Sequence, residues 1–176
     1  MGRSYSAAVT LCLCVTLLFP VLALAQEECP DLGFRAETQE ELDSFPQSCT
    51  TASYVYLSAG ITDLSPLQNL TYVEQLTIRD APGLTSLIGL ERLAGVYLIQ
   101  LTNLPLQTLQ GLSSLDIAHS LRIFSLPELT SLGGFTPTSQ LPAEILDLQD
   151  LPNLQSVANF SGFDADRITI ANVGLL

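Results

Sequence analysis

The sequence predicts an all-β solenoid, a single stack of about five and a half coils. Three observations carry this reading. Six apolar-x-apolar segments, Val55-Tyr56-Leu57, Leu76-Thr77-Ile78, Val96-Tyr97-Leu98, Leu121-Arg122-Ile123, Leu146-Asp147-Leu148 and Ile168-Thr169-Ile170, recur at intervals of 21, 20, 25, 25 and 22 residues. Within a coil the apolar spacing runs two, then three, then three again, which suits short strands joined by bends and not a helix. Prolines at 82, 127 and 152 follow the strand segments, where a residue lacking an N–H would otherwise interrupt a ladder.

Residues 1–25 stand apart from this pattern. Arg3 gives a positive start, residues 7–19 are uncharged and largely apolar, and Ala23-Leu24-Ala25 precedes Gln26 as a small-x-small cleavage site. This is the layout of a secretory signal peptide. A membrane anchor is the weaker alternative, because the apolar stretch falls short of the ~20 residues a bilayer requires and Pro20 interrupts it. No later segment is apolar enough for a transmembrane span, so a secreted or cell-surface protein is expected.

The remaining 151 residues suffice for one domain and contain five arginines, no lysine and 18 acidic residues, a formal net charge of −13. Nucleic acid and anionic membranes both need a basic footprint, so neither is an expected partner. Cys12 and Cys14 leave with the leader, and Cys29 and Cys49 remain. In an exported chain these are expected to form one disulfide, worth about 3 kcal/mol by loop entropy. Two thiolates without nearby histidines are half a zinc site, so no metal is expected.

Residues 26–54 read as an N-terminal cap. Thr38 and Glu41 have capping-box spacing, Leu42 and Phe45 share a helical face, and Pro46 ends the turn. A solenoid needs such an element to cover the apolar cross-section of its first coil.

Residues 55–176 are the solenoid. Each coil runs apolar-x-apolar, a corner, Leu-x-x-Leu, then Gly-Leu or its equivalent; coil two is Leu76-x-Ile78, Ala81-Pro82, Leu84-x-x-Leu87 and Gly89-Leu90. The pattern is leucine-rich-repeat-like. However, the polar column of an ordinary leucine-rich repeat is occupied here by Ala81, Leu101, Leu126, Leu151 and Val173, and no coil has a helical stretch. A β-helical stack is therefore preferred to a curved horseshoe.

The cap Cys29…Thr38-Gln-Glu-Glu-Leu42…Cys49, followed by Leu-Pro-x-Leu-x-x-Leu-x-Gly-Leu coils, resembles the receptor L-domain. That family occurs in the ectodomains of insulin and epidermal growth factor receptors and in fungal cell-surface proteins, and the resemblance covers about residues 29–176. It implies a right-handed β-helix, a surface or secreted location, and binding or cell-wall roles without catalysis. The glycine usual before the first strand is missing at Cys49, and there is no kinase, cysteine-rich module or lipid-anchor signal.

Residues between and beside the buried strand positions point outward. On this register one outward column is Tyr56, Thr77, Tyr97, Arg122, Asp147 and Thr169, and the next is Ser58, Arg79, Ile99, Phe124, Gln149 and Ala171. The candidate ligand-binding face is thus Tyr54, Tyr56, Arg79, Tyr97, Ile99, Arg122 and Phe124. Tyrosine and arginine combine contact area with directed polar groups, as interface anchors do. Cross-strand packing explains exposed aromatics equally well. The ligand class is protein or carbohydrate, with no cofactor.

Asn69-Leu70-Thr71 and Asn159-Phe160-Ser161 match the glycosylation acceptor pattern. The only histidine, His119, falls in the linker before coil four and lacks a nucleophile partner. Glu128, Asp147 and Asp150 form a loose acidic group that could suggest a polysaccharide-cleaving enzyme. A salt bridge to Arg122 accounts for Asp147 more simply, so no catalytic residue is assigned. A structural cell-wall protein is the alternative to a binding module. The sixth copy, Ile168-x-Ile170, stops half-way round, so its apolar edge is expected to be covered by association or by further sequence.

Overall fold

A computed structural model describes Cys29 and residues 33–134, 142–156 and 164–174. Residues 1–25, read as a leader in the sequence, and Asn159 lie outside these residues. Among the described residues seven strands form one parallel sheet in sequence order: β1 (Phe34–Thr38), β2 (Thr51–Gly60), β3 (Tyr72–Arg79), β4 (Gly95–Thr102), β5 (Ile117–Phe124), β6 (Pro142–Leu151) and β7 (Asp164–Val173). Parallel neighbours need a crossover between them. Here the crossovers among the described residues are bends and one 3-10 turn (Ser65–Leu67), so the chain is the expected β-solenoid of about five turns.

The bends follow a rhythm of three. From Ile78 the buried residues are Ala81, Leu84, Leu87, Leu90, Leu93, Val96 and Ile99. The N–H groups of Leu84, Leu90 and Leu93 donate to the carbonyls of Ala81, Leu87 and Leu90 at 3.1, 3.2 and 3.0 Å. A three-residue hydrogen-bonded turn returns the side chain to the same side, so every third residue faces inward. Inside each strand the step drops to two, as between Leu76 and Ile78, because strand side chains alternate. Burying each such leucine contributes roughly 1.5–3 kcal/mol, and the columns merge into one continuous core.

This rhythm corrects the sequence register in coil three. The strand pairing aligns Val55, Leu76, Ile99, Leu121, Leu146 and Ile168. The inward pair of β4 is therefore Ile99 and Leu101, three residues later than Val96-Tyr97-Leu98 suggests. Both triplets are apolar-x-apolar, and the count of threes from Leu93 through Val96 decides between them. Ile99 is fully buried and cannot belong to an outward face.

The cap forms as expected and also joins the sheet. Thr38 caps helix α1 (Gln39–Asp43); its Oγ1 accepts from Glu41 N–H at 3.3 Å, while Glu41 Oε2 accepts from Thr38 N–H at 3.1 Å. Leu42 and Phe45 are buried, with Phe45 edge-on to Phe34 at 5.0 Å. Cys29 and Cys49 form the disulfide, their Cα atoms 5.3 Å apart. Strand β1 precedes the helix and pairs with β2, Arg35 opposite Tyr56. The sheet thus begins within the cap region.

A polar ladder also exists, one position before the column inspected in the sequence. Asp80, Asn103, Ser125, Asp150 and Asn172 end successive strands with φ of 51 to 56°. Asp and Asn tolerate this left-handed region better than most residues. Asn103 Nδ2 donates to Asp80 Oδ1 at 2.9 Å, and Asn172 Nδ2 to Asp150 Oδ1 at 2.8 Å. At β7 the inward column continues as Ile168 and Ile170, yet these are 55% and 45% exposed; among the described residues no strand lies over them.

Candidate binding face

Outward residues of the sheet align in columns that the backbone register fixes. Tyr54, Gln75, Leu98, Ser120, Ile145 and Arg167 form one. Tyr56, Thr77, Gln100, Arg122 and Asp147 form the next, and Ser58, Arg79, Thr102, Phe124 and Gln149 a third. Of the residues expected on this face, Tyr54, Tyr56, Arg79, Arg122 and Phe124 are in place. Tyr97 is exposed but lies nearer the start of β4, its ring on His119 at 4.7 Å. Gln100 and Thr102 occupy the positions expected for Tyr97 and Ile99.

His119 is therefore a half-buried residue of β5, not a linker residue. The expected Arg122–Asp147 ion pair is also absent among the described residues. Asp147 Oδ1 instead accepts from Gln149 Nε2 at 2.7 Å, and Arg122 Nε is buried with no hydrogen-bond partner. Asp150 belongs to the corner ladder.

Arg35 was not anticipated on this face, although Phe34-Arg35-Ala36 has the same apolar-x-apolar form as the later strands. Its guanidinium lies over the Tyr56 ring at 4.7 Å, and that of Arg79 over the same ring at 5.2 Å. Arg35 also pairs with Glu37 at 2.6 Å. The hydrogen bond and charge of that carboxylate raise the guanidinium further above its already high pKa. Arg35, Tyr54, Val55, Tyr56, Gln75 and Thr77 line a cavity of about 230 Å³ on the face.

Tyrosine rings are placed by glycines on the adjoining chain. A Cβ at Gly95 would come within 2.8 Å of the Tyr72 ring, and one at Gly33 within 2.2 Å of the Tyr54 ring. Each ring therefore packs on a side-chain-free backbone, while Tyr54 and Tyr72 remain 43% and 42% exposed. Tyr72 also escaped the sequence reading, since it precedes the apolar-x-apolar core of its strand. This seating on glycine makes the aromatics both fixed and accessible.

Asn69 lies in the bend before β3, away from the face. Its Nδ2 donates to the Gln47 carbonyl at 2.9 Å, and its Oδ1 accepts from Arg92 at 3.1 Å. Among the described residues no cluster of His, Cys, Asp and Glu could hold a metal ion, and no helix is long and apolar enough to cross a membrane. Against models of known protein families, curated proteins and solved structures, the chain finds no match.

Proposed function

We propose that this chain is a secreted or cell-surface, non-catalytic binding module of the receptor L-domain type, which recognises a protein or glycan through its sheet face. The leader-like residues 1–25 and the Cys29–Cys49 disulfide support export, and the sequons at Asn69 and Asn159 are read as glycosylation sites. The observation that carries the binding reading is the seating of Tyr54, a member of the outward columns, on glycine backbone with its ring still open to solvent. An aromatic fixed by its neighbours loses little conformational freedom on contact, which is what an interface anchor requires.

The test begins with expression of the full chain in a secreting host and capture of ligands from extracellular material. Tyr54→Ala with Arg122→Ala should weaken capture at least tenfold, while Glu128→Ala, exposed outside the sheet, should not. Undiminished capture by the double variant, with the fold intact by circular dichroism, would refute this reading.

A further inference from the structure

Resting on that binding role, we infer that the face takes an acidic saccharide, a sugar chain carrying carboxylate or sulfate groups. Beyond residue 25 the chain has five cations, all arginine. Four of them, Arg35, Arg79, Arg122 and Arg167, stand at outward positions of the sheet, and only Arg92 lies elsewhere, bonded to Asn69. In a segment of net charge −13, this gathers the cations on the sheet, two of them, Arg35 and Arg79, directly over Tyr56.

Charge is segregated within the β2–β5 part of the face, while Asp147 stands beside Arg122 at β6. Across β2–β5, the outward positions in register with Tyr56 and Ser58 hold Arg79 and Arg122 and no carboxylate. Glu37 is engaged by Arg35, Glu74 lies near the start of β3, and Asp147 is engaged by Gln149. Asp80 approaches Arg79 only to 3.8 Å, and both side chains are more than half exposed. Such a contact is weak in water and leaves Arg79 able to bind an anion.

The second observation is an unmet demand for an acceptor. Among the described residues Arg122 Nε and Ser120 Oγ are buried without a hydrogen-bond partner, and Ser120 as a whole is 7% exposed. They lie two residues apart on the same face of β5, with Leu98 and Ile145 flanking Ser120 in its column. A guanidinium Nε can only donate, and a hydroxyl can donate beside it. A carboxylate or sulfate admitted by a shift of the flanking side chains would supply these buried donors with acceptors, and charge-assisted bonds of this kind are the stronger class.

The remaining chemistry favours sugar over acidic peptide. Gln75, Gln100 and Thr102 both donate and accept, as sugar hydroxyls require, and the tyrosine platforms present apolar rings for stacking. A peptide bound by strand addition would need a sheet edge, and an acidic peptide would engage the arginines alone; the poly-glutamate arm of the test separates that case from a sugar. The cavity on this face is framed mainly by polar and aromatic side chains, including Arg35, Gln75 and Thr77.

The test applies the full secreted protein to immobilised polygalacturonate, chondroitin sulfate, neutral dextran and poly-glutamate at physiological salt. Retention is expected on polygalacturonate, which carries carboxylates alone, or on chondroitin sulfate, which carries both carboxylates and sulfates, and not on dextran or poly-glutamate. Arg122→Gln should weaken retention ten- to a hundredfold, on the scale of one charge-assisted hydrogen bond. Arg122→Lys should restore only part of it, because the fork is lost while the charge stays, and Ser120→Ala should weaken it severalfold.

No retention on either acidic polysaccharide, equal retention on poly-glutamate, or an unchanged affinity in folded Arg122→Gln overturns the inference. If acidic sugars fail while Tyr54→Ala still abolishes capture of another ligand, the binding role stands and only the saccharide assignment falls. If face substitutions affect no ligand, the binding role falls as well.

Discussion

Replacing Ile99 with alanine tests the register on which the whole face depends. Ile99 is fully buried, and the substitution removes three carbons. At about 0.8 kcal/mol each the transfer loss is about 2.4 kcal/mol. A residual cavity of roughly 50 Å³ adds about 1 kcal/mol, so Ile99→Ala should cost about 3.5 kcal/mol. Tyr97 is 51% exposed; its alanine variant forfeits part of a ring's burial and the contact with His119, for about 1–2 kcal/mol. Urea unfolding followed by far-UV circular dichroism gives both values, with an unchanged slope showing that the unfolded state is comparable. Equal losses, or a larger loss at Tyr97, would place Tyr97 inward and refute the register.

Three further outcomes follow from backbone and cap geometry. Gly111 has φ of +114° and a Cβ there would lie 2.2 Å from the Leu87 carbonyl oxygen, so Gly111→Ala should destabilise by about 3 kcal/mol or more in the same urea assay. Ala59 holds φ of 50° without the side-chain help that Asp80 or Asn103 has; Ala59→Gly should raise stability by about 0.5–1 kcal/mol in thermal or urea unfolding. Backbone N–H groups of Glu37 and Thr38 hold the Glu41 carboxyl below its ordinary pKa. Its contribution is therefore present above the ordinary carboxylate range and is lost as pH falls through the lowered value; Glu41→Gln should flatten that part of the acid-unfolding profile.

Much of the fold was legible because the inward positions repeat chemically as well as numerically. Leu, Ile and Val recur where the sheet buries them, and Thr38, Glu41, Leu42 and Phe45 spell out the cap. Coil three was misread because Val96-Tyr97-Leu98 and Ile99-Gln100-Leu101 satisfy the same local pattern; only the three-residue rhythm of the preceding bends separates them. The polar ladder was missed because its column was inspected one residue late, at Ala81 and Leu126 instead of Asp80 and Ser125. For the face, Tyr54, Tyr56, Arg79, Arg122 and Phe124 followed from strand alternation alone. Arg35, Tyr72 and Ser120 did not, because their roles depend on which strand lies beside them, and strand pairing is a long-range property.

The most direct measurement of the binding claim is a titration of the full chain, expressed in a secreting host, against polygalacturonate and chondroitin sulfate, comparing wild type with Arg122→Gln and Tyr54→Ala. The arrangement of arginines, unpartnered donors and glycine-seated tyrosines predicts saturable binding of wild type to at least one polymer and at least a tenfold loss in each variant with the fold retained. Absence of binding to both polymers, or identical curves for all three proteins, would contradict it.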